Sequence, residues 1–311
     1  MISKLDIQQA SSRVRGISVK TPLIGNTFLN DLWDCEVLLK CEQFQSIGAF
    51  KIRGAANFAL QLKPEELSRG LVTHSSGNHA QAVSYMAYIM KVKAVIVMPK
   101  NSNQQKIKNA RKWGAEIVLC EPTIESRIET ANAIAKESGC IMIPPFDHER
   151  IVAGQSTAAM EIIAEHNDLD YIITPLGGGG LLAGTSLSAR YFSPNTKVIG
   201  AEPEEAADGY EGFSSGERVT TVNANTVADG LRTTVGEIPF EIIKSNIHDI
   251  WLAQEDQIVE WMYRFWNETK MIVEPSCVVP LVAMHAQKEK LKGKKIAVII
   301  TGGNVDFNAL P

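Results

Sequence analysis

The stretch Tyr171-Ile172-Ile173-Thr174-Pro175-Leu176-Gly177-Gly178-Gly179-Gly180-Leu181-Leu182-Ala183-Gly184 passes from a β-branched apolar run through four consecutive glycines into a helical pattern. A short, continuous apolar run ended by Pro and Gly signals a strand buried on both faces. Similar runs occur at 70–74, 93–98, 116–120, 197–201 and 295–300, with amphipathic segments at 80–90, 124–137, 151–166 and 257–269 between them. Strands that alternate with helices make mostly parallel sheets with right-handed crossovers. The expected fold class is therefore α/β, and ligands are sought on the loops that leave the carboxyl ends of strands. The polar stretch from Glu202 to Thr226 reads as a long surface loop.

Composition narrows the class of protein. A chain of 311 residues with 45% apolar and 21% charged side chains is long enough for two domains or one large α/β unit. The net charge of -4, with both signs interspersed, points to no nucleic-acid partner. No run approaches the roughly 20 apolar residues of a membrane span, and Met1-Ile2-Ser3-Lys4-Leu5-Asp6 lacks a signal-peptide core. Five cysteines without a CxxC spacing argue for neither a disulfide framework nor a zinc site. A soluble, cytoplasmic enzyme is expected.

Four loops carry groups that could do chemistry. In Ser46-Ile47-Gly48-Ala49-Phe50-Lys51-Ile52-Arg53-Gly54-Ala55 a lysine opens an apolar helix. Desolvation there would lower its pKa and free its amine for a Schiff base, although a lone lysine is more often a solvated surface group. His74-Ser75-Ser76-Gly77-Asn78-His79-Ala80 follows a strand and opens a helix, as either a cap or a nest for a carboxylate or phosphate. The tetraglycine suits backbone that approaches a phosphate closely, against the alternative of a flexible turn. Its glycines have neither the Walker nor the GxGxxG order. Thr301-Gly302-Gly303-Asn304 ends the last strand, where a hydroxyl can cap a turn or bind a ligand.

In this order, the lysine, Ser75-Ser76-Gly77-Asn78-His79 and tetraglycine motifs resemble the fold-type II pyridoxal-phosphate enzymes, in the group of serine racemases and threonine (serine) dehydratases. The resemblance spans Thr21-Pro22 to Thr301-Gly302-Gly303-Asn304-Val305-Asp306. It implies a tryptophan-synthase-β-like fold, with a large domain of residues 1–65 and 148–311, a small mobile domain of residues 66–147, and pyridoxal 5'-phosphate in the cleft between. By resemblance, Lys51 holds the cofactor covalently and removes the substrate's α-proton, while Phe50 packs beside the ring. Asn78 bonds the phenolic oxygen. The amides of Gly177, Gly178, Gly179, Gly180 and Leu181 take the phosphate, and Thr301 faces the pyridine nitrogen. A neutral hydroxyl there leaves the ring a weak electron sink, which suits rapid β-elimination.

The same resemblance assigns the substrate carboxylate to Ser75, Ser76, Gly77, Asn78 and His79, with Ser76 as acid/base on the opposite ring face. Arg127 and Thr233 match positions near the substrate, although Arg127 also fits a solvated surface arginine. In Glu202-Pro203-Glu204-Glu205-Ala206-Ala207-Asp208, the carboxylates of Glu202 and Asp208 and the carbonyl of Ala206 resemble a divalent-cation site for Mg²⁺ (or Ca²⁺ or Mn²⁺). The bland alternative is an acidic surface loop.

Phe146 and Ala80 look dehydratase-like, and Gln155-Ser156-Thr157 departs from a more usual Gln-Gly-Thr. With the last residue at Pro311, the C-terminal regulatory domain of biosynthetic threonine dehydratases is not expected. The expected reaction is dehydration and deamination of L-serine or L-threonine to a 2-oxo acid and ammonia. Serine racemisation, alone or alongside it, and 3-hydroxyaspartate ammonia-lyase activity are the alternatives, and a homodimer is expected. A non-catalytic phosphate binder would have no use for Lys51.

Overall fold

The computed structural model describes residues 1–102 and 104–311. Among them ten strands form two sheets. They are β1 (Leu23–Gly25), β2 (Glu36–Cys41), β3 (Leu71–His74), β4 (Ala94–Pro99), β5 (Glu116–Cys120), β6 (Ile141–Met142), β7 (Tyr171–Pro175), β8 (Lys197–Pro203), β9 (Asp249–Ala253) and β10 (Lys295–Ile300). The larger sheet has the order β1-β2-β10-β7-β8-β9 and the smaller β5-β4-β3-β6. Every pair is parallel except β1 with β2. No helix of the described residues is long and apolar enough to cross a membrane.

The continuous apolar runs became central strands because helices cover both faces. In β10, Ile296, Val298, Ile299 and Ile300 are all fully buried, each contributing about 1.5–3 kcal/mol of transfer free energy. β2 escaped the apolar-run reading because Lys40 interrupts it. That lysine is buried in the sheet, its Nζ donating to Thr21 O and Glu161 Oε2, each at 2.7 Å.

The stretch from Glu202 to Thr226 is not a long surface loop. β8 runs on to Pro203, and a helix follows at Asp208–Ser215. Within this stretch only Ala207 and residues 216–226 lack helix or strand. Acidic composition suggested solvation, but Glu202 and Asp208 are buried because they accept backbone N–H groups.

The helix Glu149–Glu165 packs closely on the helices Lys51–Ala59 and Gly180–Phe192. A Cβ at Gly184 would lie 2.7 Å from Ser156 N, so this crossing needs small residues. Ser156 satisfies it by turning its hydroxyl back on its own helix, 2.6 Å from Ala153 O. The hydroxyl is thereby satisfied within its own helix, and nothing in the structure explains serine in place of glycine in the Gln-Ser-Thr segment.

The Lys51 loop is stitched to the exit of β10. Ala49 bridges Gly302, Phe50 N donates to Thr301 O at 3.0 Å, and Gly303 N donates to Gly48 O at 2.9 Å. Gly48 has φ +72, and a Cβ there would come within 2.7 Å of Asn304 Oδ1. Two loops some 250 residues apart in sequence are thereby held in one register.

Candidate active site

The loops after β3, β7 and β10 open onto one cleft of about 360 Å³, with Lys51 in its wall. Lys51 is the first residue of its helix, and its amine donates to Pro145 O at 3.0 Å and lies 5.3 Å from the centre of the Phe50 ring. Burial pushes its pKa down to about 8, against a smaller upward pull from Glu274. A lysine so placed presents a substantial neutral fraction near pH 8 and can act as a nucleophile.

Two helix N-termini face this amine across the cleft. One begins at Gly180 behind Gly179, whose φ of +84 turns the chain into the helix. Among the described residues, no amide from 177 to 181 has a backbone partner, which leaves donors for an anion. Protein packing itself demands the glycines: a Cβ at Gly178 would lie 2.3 Å from the Phe146 ring, and one at Gly179 2.8 Å from Pro239. The free amides and the depressed lysine fit an aldehyde-bearing phosphate such as pyridoxal phosphate.

The other N-terminus begins at Asn78, behind Ser75, Ser76 and Gly77, all on the cleft. Asn78 is fixed from two sides: its Nδ2 donates to Glu274 Oε1 and its Oδ1 accepts from Asn304 Nδ2, both at 2.7 Å. His79 is buried with Nε2 3.0 Å from Ile143 O. Burial and the nearby Lys51 push its pKa down to about 3, so the ring stays neutral.

Sequence reading missed Glu274. Burial, with Asp229 nearby, pushes its carboxyl up to about 8. Glu274-Pro275, an acidic residue before a proline at a helix start, was the available signal. Thr301 is buried at the end of β10 with Oγ1 3.1 Å from Cys277 Sγ. Arg127 and Thr233 both line the cleft. Arg127 is half-buried, its pKa lowered by burial, and no carboxylate of the described residues forms an ion pair with it. It is not a fully solvated surface arginine.

Glu202, Ala206 and Asp208 lie apart from the lysine, behind Leu176 at the back of the glycine loop. Glu202 accepts from Gly209 N at 3.0 Å and Tyr210 N at 2.8 Å, and Asp208 Oδ2 accepts from Val235 N at 2.8 Å. Asp208 Oδ1 is buried without a partner. Burial, and then the charge of Asp208, raises the Glu202 pKa, while burial raises that of Asp208 to about 6. No cluster of three or more His, Cys, Asp or Glu side chains suited to a metal occurs among the described residues. The orphaned Asp208 oxygen, close enough to Glu202 for the two charges to interact, is a hard donor of the kind Mg²⁺ or Ca²⁺ takes.

Residues 14–302 match the family model described as pyridoxal-phosphate dependent enzyme. The chain is 42% identical over 309 residues to a serine racemase of Dictyostelium discoideum, covering 98% of this chain and 95% of that protein. It is 37% identical over 306 residues to a β-hydroxyaspartate dehydratase of Paracoccus denitrificans, covering 98% and 97%. The crystal structure of a threonine deaminase from T.th. superposes with a TM-score of 0.93 at 36% identity, over 98% of this chain and 99% of that one.

Proposed function

The chain belongs to the pyridoxal-phosphate dependent enzymes, and from that premise we propose that it dehydrates and deaminates an L-β-hydroxy amino acid, serine or threonine, to a 2-oxo acid and ammonia. The observation that carries this reading is the half-buried amine of Lys51, its pKa pushed down to about 8, on one cleft with two helix N-termini. Bound pyridoxal phosphate supplies an electron sink that acidifies the substrate's α-carbon.

Lys51 holds the cofactor and moves the α-proton at Nζ. The amides of residues 177–181 would take the phosphate, with Phe50 beside the ring, Asn78 for its phenolic oxygen and Thr301 for its nitrogen. The amides and hydroxyls at 75–79 orient the substrate carboxylate, and the stitched loops 48–50 and 301–303 keep Lys51 and Thr301 in fixed relation. The segment 66–147 acts as the mobile domain and excludes water as it closes. Glu202, Asp208 and the Ala206 carbonyl would hold Mg²⁺, Ca²⁺ or Mn²⁺, which would neutralise the two carboxylates and brace the segment packed on Leu176. The protein works as a homodimer in the cytoplasm on a free amino acid.

Two further substrate readings have observations in their favour. Arg127, half-buried on the cleft wall and in no ion pair among the described residues, suits the second carboxylate of a 3-hydroxyaspartate. Ser76, on the cleft wall at a helix start, suits proton return to the opposite face in serine racemisation. A panel of L- and D-serine, L-threonine and the 3-hydroxyaspartates, followed for 2-oxo acid release and enantiomer exchange, decides among them. Release of 2-oxo acid from L-serine or L-threonine as the fastest reaction is expected. Exchange without release, or turnover confined to 3-hydroxyaspartate, overturns the main reading.

A further inference from the structure

Thr301 has one neighbour that the proposed chemistry leaves unused. Cys277, fully buried in the helix Pro275–Ala286, places Sγ 3.1 Å from Thr301 Oγ1, 2.8 Å from Gly302 O and 3.0 Å from Gly302 N. Its thiol donates to Gly302 O and accepts from Gly302 N, which pins the sulfur to the chain immediately after Thr301. Burial holds the thiol far above its ordinary pKa, so the sulfur keeps its proton. With that proton committed to Gly302 O, the contact left to Thr301 is donation of its own hydroxyl proton to a sulfur lone pair.

We infer that Cys277 is a positioning residue that parks the Thr301 hydroxyl on a weak acceptor, from which a ring nitrogen in the cleft readily takes it. This rests on the reading that Thr301 meets the pyridine nitrogen of the cofactor. A buried hydroxyl needs a partner, and one with no partner is costly. A thiol sulfur satisfies it at low strength, because sulfur accepts hydrogen bonds poorly. A serine at 277 would accept more strongly and could itself donate to Thr301, so it would compete with the ring nitrogen. An alanine would leave the hydroxyl with no competitor.

Side-chain packing and hydroxyl parking make opposite forecasts for these two variants. The test measures pyridoxal phosphate affinity of the wild type, Cys277→Ser and Cys277→Ala by dialysis of each holoenzyme against graded cofactor, read by visible absorbance. Melting curves of the cofactor-free proteins separate misfolding from weakened binding. The expected order is Cys277→Ala as tight as wild type or tighter, and Cys277→Ser weaker by about 3- to 10-fold, the range of one modest hydrogen bond. In a Thr301→Ala background, Cys277→Ser should leave the affinity unchanged. Weaker binding by Cys277→Ala than by Cys277→Ser, or a serine effect that persists without the Thr301 hydroxyl, overturns the inference alone. A wild type that binds no pyridoxal phosphate overturns the proposed function with it.

Discussion

Lys51 and Arg53 stand two residues apart at the start of one helix, and the protein treats their charges in opposite ways. Arg53 is fully buried, with Nε donating to Glu42, Nη1 to Glu161 and Thr157, and Nη2 to Glu42, Glu161 and Val19 O. Lys40 adds a second cation against Glu161, so two cations meet two carboxylates. Burial alone would lower the Arg53 pKa; Glu42 and Glu161 outweigh it and raise it. Among the described residues, Lys51 has one carbonyl within hydrogen-bond distance and no carboxylate, and its pKa falls. A buried charge with its partners complete is architecture, whereas one left short of partners marks a seat for something else.

The largest expected effect breaks the comparison on the Lys51 side. Lys51→Ala should lower 2-oxo acid release by about 10⁴-fold or more, because one amine both anchors and moves the proton. The melting temperature of the cofactor-free protein should not fall. Substantial turnover in that variant would remove Lys51 from the chemistry.

On the other side, Arg53→Met should cost about 3–5 kcal/mol in urea unfolding, since it strands Glu42 in the interior with its compensating charge gone. Lys51→Met should be neutral or stabilising without cofactor. Equal losses for the two would erase the distinction between a paired and an under-paired charge.

The pH dependence sharpens it further. The Lys51 pKa is about 8 in the fold and 10.5 ordinarily. Between those values the unfolded chain holds a proton that the folded one lacks, so stability rises with pH across that window. Below about pH 8 both states are protonated and the full cost of the buried charge is present. In the cofactor-free protein, where the amine is free, Lys51→Met should abolish this rise, which amounts to about 3 kcal/mol. Wild-type and variant urea midpoints that run parallel between pH 8 and 10.5 would contradict it.

The smallest effect extends the argument to Glu202 and Asp208, two buried carboxylates held by backbone N–H groups. Adding Mg²⁺ to chelated protein should raise its melting temperature by about 2–5 °C, and Glu202→Gln should remove the response. A wild type indifferent to Mg²⁺, Ca²⁺ and Mn²⁺ alike would return the pair to plain helix capping.

The sequence by itself determined the parallel α/β core and the loops on which the polar groups sit. Runs such as 295–300, bounded by polar and glycine signals, point to doubly covered strands, and the tetraglycine after 171–175 points to a turn before a helix. Local pattern suffices there because neighbouring residues make the structure. It did not reveal β2, because Lys40 looks solvent-facing until Glu161, 121 residues away, is brought to it. Nor did it show the helix hidden in residues 202–226, where acidic side chains are buried by backbone N–H groups, Val235 among them. The partners of Asn78, the stitch from Ala49 to Gly302, and the place of Arg127 on the cleft wall were likewise decided by tertiary structure. Burial and pairing of a charge depend on groups distant in the chain, and these set the Lys51 and Glu274 pKa values.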